Sequence, residues 1–235
     1  MDLKISKRLM TVAGLVPGCD TLADIGSDHG LLPLYLLQQK RIRNAYCCDI
    51  KQGPLEAASR NIRAWGLEHA AETLLGDGLA PVHGKSHQCA VIAGMGGETI
   101  AQILEDDGIG AADPRVFVLQ PMSRANVLRT YLASHGFAVT EFALCEDAGR
   151  LYECFTAVKS TDVETDPFFL YLGRRGNAEE ALYRRYVEEH RFRLEGMLEG
   201  ILRSNHPDAP EGEEYRALLA EFERRFGPPP VSRKG

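Results

Sequence analysis

Up to about Ser160, short apolar runs alternate with stretches of helical period. The runs Thr21–Ile25, Ala45–Ile50, Thr73–Leu75, Gln88–Ala93 and Arg115–Gln120 have the length and polarity of buried strands. Between them Leu31–Gln39, Pro54–Trp65, Glu98–Glu105 and Arg124–His135 place apolar residues every three or four positions and read as helices. A β-α-β-α order predicts an α/β fold, a parallel sheet covered by helices on both faces. Two further runs, Phe137–Cys145 and Leu151–Val158, are joined only by Glu146-Asp147-Ala148-Gly149-Arg150. So short a link permits an antiparallel pair but no parallel crossover. The predicted sheet is therefore mostly parallel and ends in an antiparallel hairpin.

The pattern changes after Ser160. Thr161–Asp166 is polar, and Pro167 opens a new segment. From Ala178 to Arg203 the apolar positions Tyr183, Tyr186, Val187, Leu194, Met197, Leu198 and Ile201 follow a helical period. Asn205–Gly212 interrupts it with two prolines, and Tyr215, Leu218, Leu219, Phe222 and Phe226 resume it. This predicts an antiparallel helical hairpin as a small C-terminal domain. The expected division is residues 1–160 for the sheet domain and 161–235 for the hairpin, ending in Gly-Pro-Pro-Pro and a frayed tail.

Composition narrows the picture. With 44% hydrophobic and 26% charged residues, the chain is an ordinary globular one. No apolar run approaches the ~18 residues of a membrane helix, and Met1-Asp2-Leu3-Lys4 begins no signal peptide. A cytoplasmic location is expected. The six cysteines show no CxxC pair and no His spacing suited to zinc, so buried free thiols are expected, with no metal. A net charge of −6 argues against a generic nucleic-acid coat but leaves room for a local basic patch.

The chemistry concentrates at the bend after the first strand, Asp24-Ile25-Gly26-Ser27-Asp28-His29-Gly30. In an open parallel sheet, ligands bind at the carboxyl ends of the strands, where the strand order reverses. Gly26 permits a tight turn and close approach of a ligand, and the helix that follows presents free amides. A dinucleotide loop carries three glycines to admit a pyrophosphate. Here Asp28 stands where the middle glycine would be, which repels phosphate and favours a cation. A nucleoside with positive charge and no phosphate, such as S-adenosylmethionine, fits. Asp49 ends the second strand, where a ribose would present its hydroxyls, and Asp77 follows the third, within reach of an adenine amino group. Each acid alone also reads as a turn residue or helix cap. Three on one sheet edge read as a pocket.

These residues belong to a longer set: Lys7-Arg8-Leu9, ADIGSDHGLLP at Ala23–Pro33, QGP at Gln52–Pro54, GDGL at Gly76–Leu79, IAGMGGE at Ile92–Glu98, LQP at Leu119–Pro121 and GRLYE at Gly149–Glu153. In this the chain resembles the bacterial tRNA adenine-22 N1-methyltransferase family. The resemblance implies a Rossmann-like class I methyltransferase sheet, an S-adenosylmethionine cofactor, a tRNA substrate and a helical, coiled-coil-like C-terminal domain. Family members often place a glutamate where this chain has Asp49. On this reading Asp24, Gly26, Ser27, Asp49, Ile50, Asp77, Gly78, Ala93, Gly94 and Met95 hold the cofactor. Asp28 and His29 are the catalytic pair, and Gly96, Gly97, Gln120, Pro121, Arg8, Arg124 and Arg150 meet the substrate.

Adenine N1 is already a lone-pair nucleophile, so the expected work is alignment and exclusion of water. The methylated base is cationic unless its amino group loses a proton. Asp28 can offset that charge or accept the proton, with His29 orienting it or touching the base. His29 reads equally well as a locally bonded helix-start residue. The Asn/Asp-Pro-Pro-aromatic loop that many amino-methyltransferases place after the fourth strand is absent, and Gly94, Gly96 and Gly97 suggest main-chain recognition of the base instead. Lys4, Lys7, Arg8, Arg124, Arg129 and Arg150 are expected phosphate contacts. Lys40, Arg41 and Arg43 are expected at a helix C-terminus on the opposite edge. The i,i+4 pairs Glu180/Arg184, Arg184/Glu188, Arg185/Glu189 and Arg191/Glu195 predict a solvated helix rather than a polycation. Two rivals remain: another nucleoside-cofactor enzyme, and a non-catalytic tRNA- or protein-binding module that retains the fold.

Overall fold

The computed structural model describes residues 3–108 and 116–229. The start of the expected fifth strand at Arg115, Met1-Asp2 and the tail from Pro230 onward lie outside the described residues. Seven strands form one sheet: β1 (Thr21–Ile25), β2 (Asn44–Asp49), β3 (Ala71–Leu75), β4 (Cys89–Met95), β5 (Val116–Pro121), β6 (Phe137–Asp147) and β7 (Arg150–Lys159). Their order is β3-β2-β1-β4-β5-β7-β6, parallel through β5. β7 is antiparallel to both β5 and β6. The hairpin expected from the short link is present, and its second strand is the one inserted beside β5.

Alternate residues of the central strands enter opposite cores, as a period of two requires. Ala23, Ile25, Ala90, Ile92, Phe117 and Leu119 join one core, whereas Leu22, Val91 and Val118 join the other. The helices α1 (Lys7–Leu15) and α2 (Leu31–Gln38) cover the second core through Val12, Leu15, Leu32 and Leu36. α3 (Gln52–Ala64) closes the β2 end with Ile62 against Leu34 and Cys47. The first core is covered by α4 (Gly97–Asp106) and α5 (Ala125–Ser134) through Ile100, Leu104, Leu128 and Leu132.

α1 is absent from the strand-and-helix pattern expected at the N-terminus. It is capped by the Ser6 hydroxyl, which accepts from the Leu9 amide. Arg41 donates to the Ala13 and Val16 carbonyls at its C-terminal end, so one of the expected edge cations does cap a helix.

After the sheet come α6 (Pro167–Leu172), α7 (Glu180–Leu202) and α8 (Pro210–Phe226). Asp166 caps α6, and Pro210 opens α8 at its first turn, where a missing N–H costs nothing. The interruption expected to run to Gly212 therefore ends earlier. Tyr183, Tyr186, Val187, Leu194, Leu218 and Phe222 share one continuous core with Phe142 and Phe155 of the sheet. The Tyr186 ring meets Phe142 edge-on at 6.2 Å, and its hydroxyl donates to the Leu172 carbonyl at 2.7 Å.

Two charged residues behave differently from expectation. Arg129 is 3% exposed, pairs with Glu153 and donates to the Leu170 and Tyr171 carbonyls. It staples α6 to the sheet and is not a phosphate contact. Arg191 is buried against Phe222 and lies 3.7 Å from Glu188, not Glu195. The pairs Glu180/Arg184 and Arg185/Glu189 form as expected, at 2.8 and 3.0 Å.

Candidate active site

The order of strands reverses between β1 and β4, and a cleft of about 440 Å³ opens at their carboxyl ends. Its floor is the β1–α2 bend. Gly26 takes φ +74°, and a side chain there would collide with Met95. The amides of Gly26 and Ser27 both donate to the Cys48 carbonyl at 2.8 Å, tying the bend to β2. Gly30 caps α2 in the left-handed region, and the Asn61 amide holds the His29 carbonyl at 2.9 Å. The loop is thus pinned at both ends while its middle stays open.

Asp28, Asp49, Asp77 and Asp106 line the cleft, against one cation, Lys51. That charge balance rejects phosphate and suits a cationic ligand. One oxygen of Asp49 accepts from the Lys51 amide at 2.8 Å, which fixes the carboxylate and leaves its other oxygen for a ligand. Asp24 is buried behind the cleft. Burial raises its carboxyl to about 6, the neighbouring Ser27 hydroxyl opposes the rise, and the charge of Asp49 adds to it. A cation in the cleft would favour the ionised form of both acids. Asp28 and His29 stand at the rim, 77% and 55% exposed, with the His29 Nε2 3.1 Å from the Asp28 carboxylate. His29 sits at φ +62°, an uncommon conformation for a residue with a side chain, held by the pinned loop.

The β4–α4 turn forms the opposite wall. The pairing of β4 with β5 shifts register between Ala93 and Met95, so Gly94 is bulged out at φ +81°. Its amide donates to the Gln120 side chain at 3.2 Å. The same oxygen accepts from Arg8 at 2.6 Å, and the Gln120 amide nitrogen donates to the Pro121 carbonyl at 2.9 Å. Gln120 is fully buried, so this network sets where the turn stands.

The Methyltransferase domain family matches residues 5–155. A Bacillus subtilis protein named tRNA (adenine(22)-N(1))-methyltransferase is 35% identical over 156 residues, covering 66% of this chain and 66% of that protein. The chain belongs to the Methyltransferase domain family. In that sequence comparison it spans just under two thirds of the Bacillus relative's length. The structural likeness runs further. Streptococcus pneumoniae Sp1610 superposes with a TM-score of 0.82 at 28% identity, covering 94% of this chain and 99% of that one. M. capricolum TrmK, solved with S-adenosyl-homocysteine, gives 0.79 at 26% identity over 94% and 96% of the two chains.

Within this family member, Gly26, Asp28, Asp49, Ile50, Asp77, Gly78 and Met95 line the cleft. Asp24 and Ser27 stand behind it, and Ala93 and Gly94 set its wall. A carboxylate-lined recess with a glycine elbow that a Cβ would fill fits S-adenosylmethionine. The lining positions not anticipated include Ile25, Cys48, Lys51, Pro54 and Gly76 beside expected residues, and a separate group, Thr99, Gln102, Ile103 and Asp106, spaced to share one face of α4. The only sequence signal is the three polar residues Thr99, Gln102 and Asp106 on a face turned away from Ile100 and Leu104.

Three of the expected substrate contacts have partners within the protein. The Gly97 amide donates to the Ser123 carbonyl at 2.8 Å, and a Cβ there would strike the Arg124 carbonyl. Its small size serves close packing of α4 on the β5–α5 loop. Arg8 is held by Gln120 and lies over the Tyr152 ring at 5.8 Å, so it is a structural link rather than a free cation. Gln120 acts from inside the protein. Gly96 caps α4, Pro121 ends β5 in a second cleft, Arg124 lies 3.9 Å from Glu98, and Arg150 opens β7 exposed at the hairpin turn. Among the described residues no cluster of His, Cys, Asp or Glu is arranged to hold a metal. No helix there is long and apolar enough to cross a membrane.

Proposed function

We propose that the chain transfers a methyl group from S-adenosylmethionine to N1 of an adenine in tRNA, at position 22 as the Bacillus relative's name states for that protein. The observation that carries this reading is the acid-lined cleft at the β1/β4 switch point. The cofactor supplies an activated methyl group. Asp49 would offer its fixed carboxylate oxygen to the ribose, Asp77 would meet the adenine end, and Asp24 would present negative charge to the cationic end. Gly94 and its Gln120 support position the turn against which the target base lies. Asp28, with His29 beside it, receives the proton or offsets the charge as the base becomes cationic. All described cysteines are free thiols, in keeping with a reducing cytoplasm.

The direct test is incubation of an unmodified tRNA transcript with labelled cofactor, followed by nucleoside mapping. Label in 1-methyladenosine is expected, lost from a transcript with guanosine at position 22. A wild-type protein that leaves the transcript unlabelled sinks the proposal. Asp28→Ala is expected to lower turnover on tRNA roughly 10²-fold, with cofactor affinity nearly kept. The reverse result, normal turnover with collapsed cofactor affinity, would make Asp28 a cofactor ligand.

A further inference from the structure

A second cleft, about 660 Å³, lies between the sheet and the C-terminal helices. Its size is within the range of small-ligand sites. One wall is the β5–α5 loop and the start of β7, and the other is α7 and α8. It adjoins the cofactor cleft at the first turn of α4, where Glu98 lines one and its neighbour Thr99 the other. A polymer whose reacting base lies over the cofactor therefore passes its next residue toward this opening.

The side chains there match a nucleotide. Tyr152 on β7 and Tyr215 on α8 are half-buried, and neither hydroxyl has a hydrogen bond nor either ring another aromatic ring against it among the described residues. By contrast Tyr171 and Tyr186, deeper in the cleft, spend their hydroxyls on the His190 and Leu172 carbonyls. Arg193 at the rim is exposed and forms no ion pair among the described residues. Arg124, across from it, is held at φ +55° and has only a 3.9 Å contact to Glu98. Arg8 covers one face of Tyr152, and a ring with a face open, flanked by guanidinium groups that make at most one long ion-pair contact, is what an unstacked base and its phosphates require. Four acids also line the cleft. Glu153 is spent on Arg129 and Glu189 on Arg185, whereas Glu98 and Glu214 can accept from exocyclic amino groups, so the phosphates belong on the arginine side.

We infer that this cleft holds an unpaired nucleotide of the substrate tRNA, adjacent in the RNA to the methylated adenosine, stacked on Tyr152 or Tyr215 with Arg193 and Arg124 on its phosphates. The inference rests on the tRNA substrate proposed above. It makes the C-terminal helices part of the substrate site through a defined pocket.

The test is equilibrium binding of an unmodified tRNA transcript to full-length protein, across a salt series, with cofactor affinity measured alongside. Tyr215→Ala is expected to weaken tRNA binding roughly tenfold by loss of stacking, with cofactor affinity unchanged. Arg193→Ala, an exposed change that keeps the fold, is expected to weaken binding and reduce the salt slope by about one. Phe192→Ala removes a ring that is 77% exposed on the same helix outside the cleft, and is the control. Wild-type affinity for both cleft variants overturns the inference and leaves the cleft to a protein segment or to no ligand. An equal loss in Phe192→Ala also overturns it, because the contact would then lie on the outer helix face. A wild-type protein that does not bind tRNA overturns it together with the proposed substrate. Methyl transfer is read separately, so a protein that binds tRNA without methylating it contradicts the activity alone.

Discussion

Asp24 is buried and His190 half-buried, and their titrations oppose each other. The Asp24 carboxyl moves from 3.8 to about 6, chiefly by burial. Between those values the native state holds a proton that the unfolded chain has lost, so its contribution to stability falls as pH rises through the window. Burial lowers the His190 imidazole from 6.5 to about 4. There the unfolded chain holds the extra proton, and stability rises with pH. Each slope is at most about 1.4 kcal/mol per pH unit, and the two largely cancel from about pH 4 to 6. Asp24→Asn is expected to steepen the rise of unfolding free energy with pH, as read by urea titration from pH 4 to 6.5. Slopes identical to wild type would show that Asp24 titrates near its ordinary value. Asp49 is a simpler case. Asp49→Ala removes hydrogen bonds to a charged acceptor, worth roughly 1.5–3 kcal/mol, and calorimetry should show S-adenosylmethionine affinity lowered about tenfold or more. Unchanged affinity in a folded variant removes Asp49 from the pocket.

Among the elements, α4 connects most of the site. Its first turn packs on the β5–α5 loop through Gly97, and its next residues wall both clefts. Gly97→Ala pushes a methyl group into the Arg124 backbone. It is expected to cost about 1–3 kcal/mol of stability, measured by denaturant midpoint, since backbone cannot yield as a flexible side chain can. A midpoint within error of wild type would mean that the loop moves freely. The strands and α2 to α5 were legible because their apolar periods are strong and their breaks carry Gly, Pro or Asp. α1 was harder to read. Its apolar face is short, and Arg8 in it resembles a surface cation until Gln120 and Tyr152 are seen around it.

Over the whole molecule, sheet and hairpin share a core although the chain leaves the sheet after Lys159. Cutting after Ser160 uncovers apolar surface such as Phe142, at ~1.5–3 kcal/mol for each large apolar side chain, and strips the buried Arg129–Glu153 pair of its α6 carbonyl partners. The fragment is expected to unfold at distinctly lower urea than the full chain. Where folded, it should keep cofactor affinity and lose tRNA methylation, because the proposed cofactor residues all precede the cut. A fragment as stable as the full chain would make the helices an independent unit. The fold class, the terminal antiparallel pair and the acids at the strand ends followed from sequence alone. Hydrophobic period, link length and backbone turn chemistry are local properties of the chain. The roles of the individual arginines, of the glycines in IAGMGGE and of the glutamine in LQP did not. Gly97 and Gln120 owe their roles to backbone and side chains more than 20 positions away, and Arg129 owes its burial to α6. A local pattern registers that a residue is small or charged. Only the tertiary packing decides which distant group its size or charge must meet.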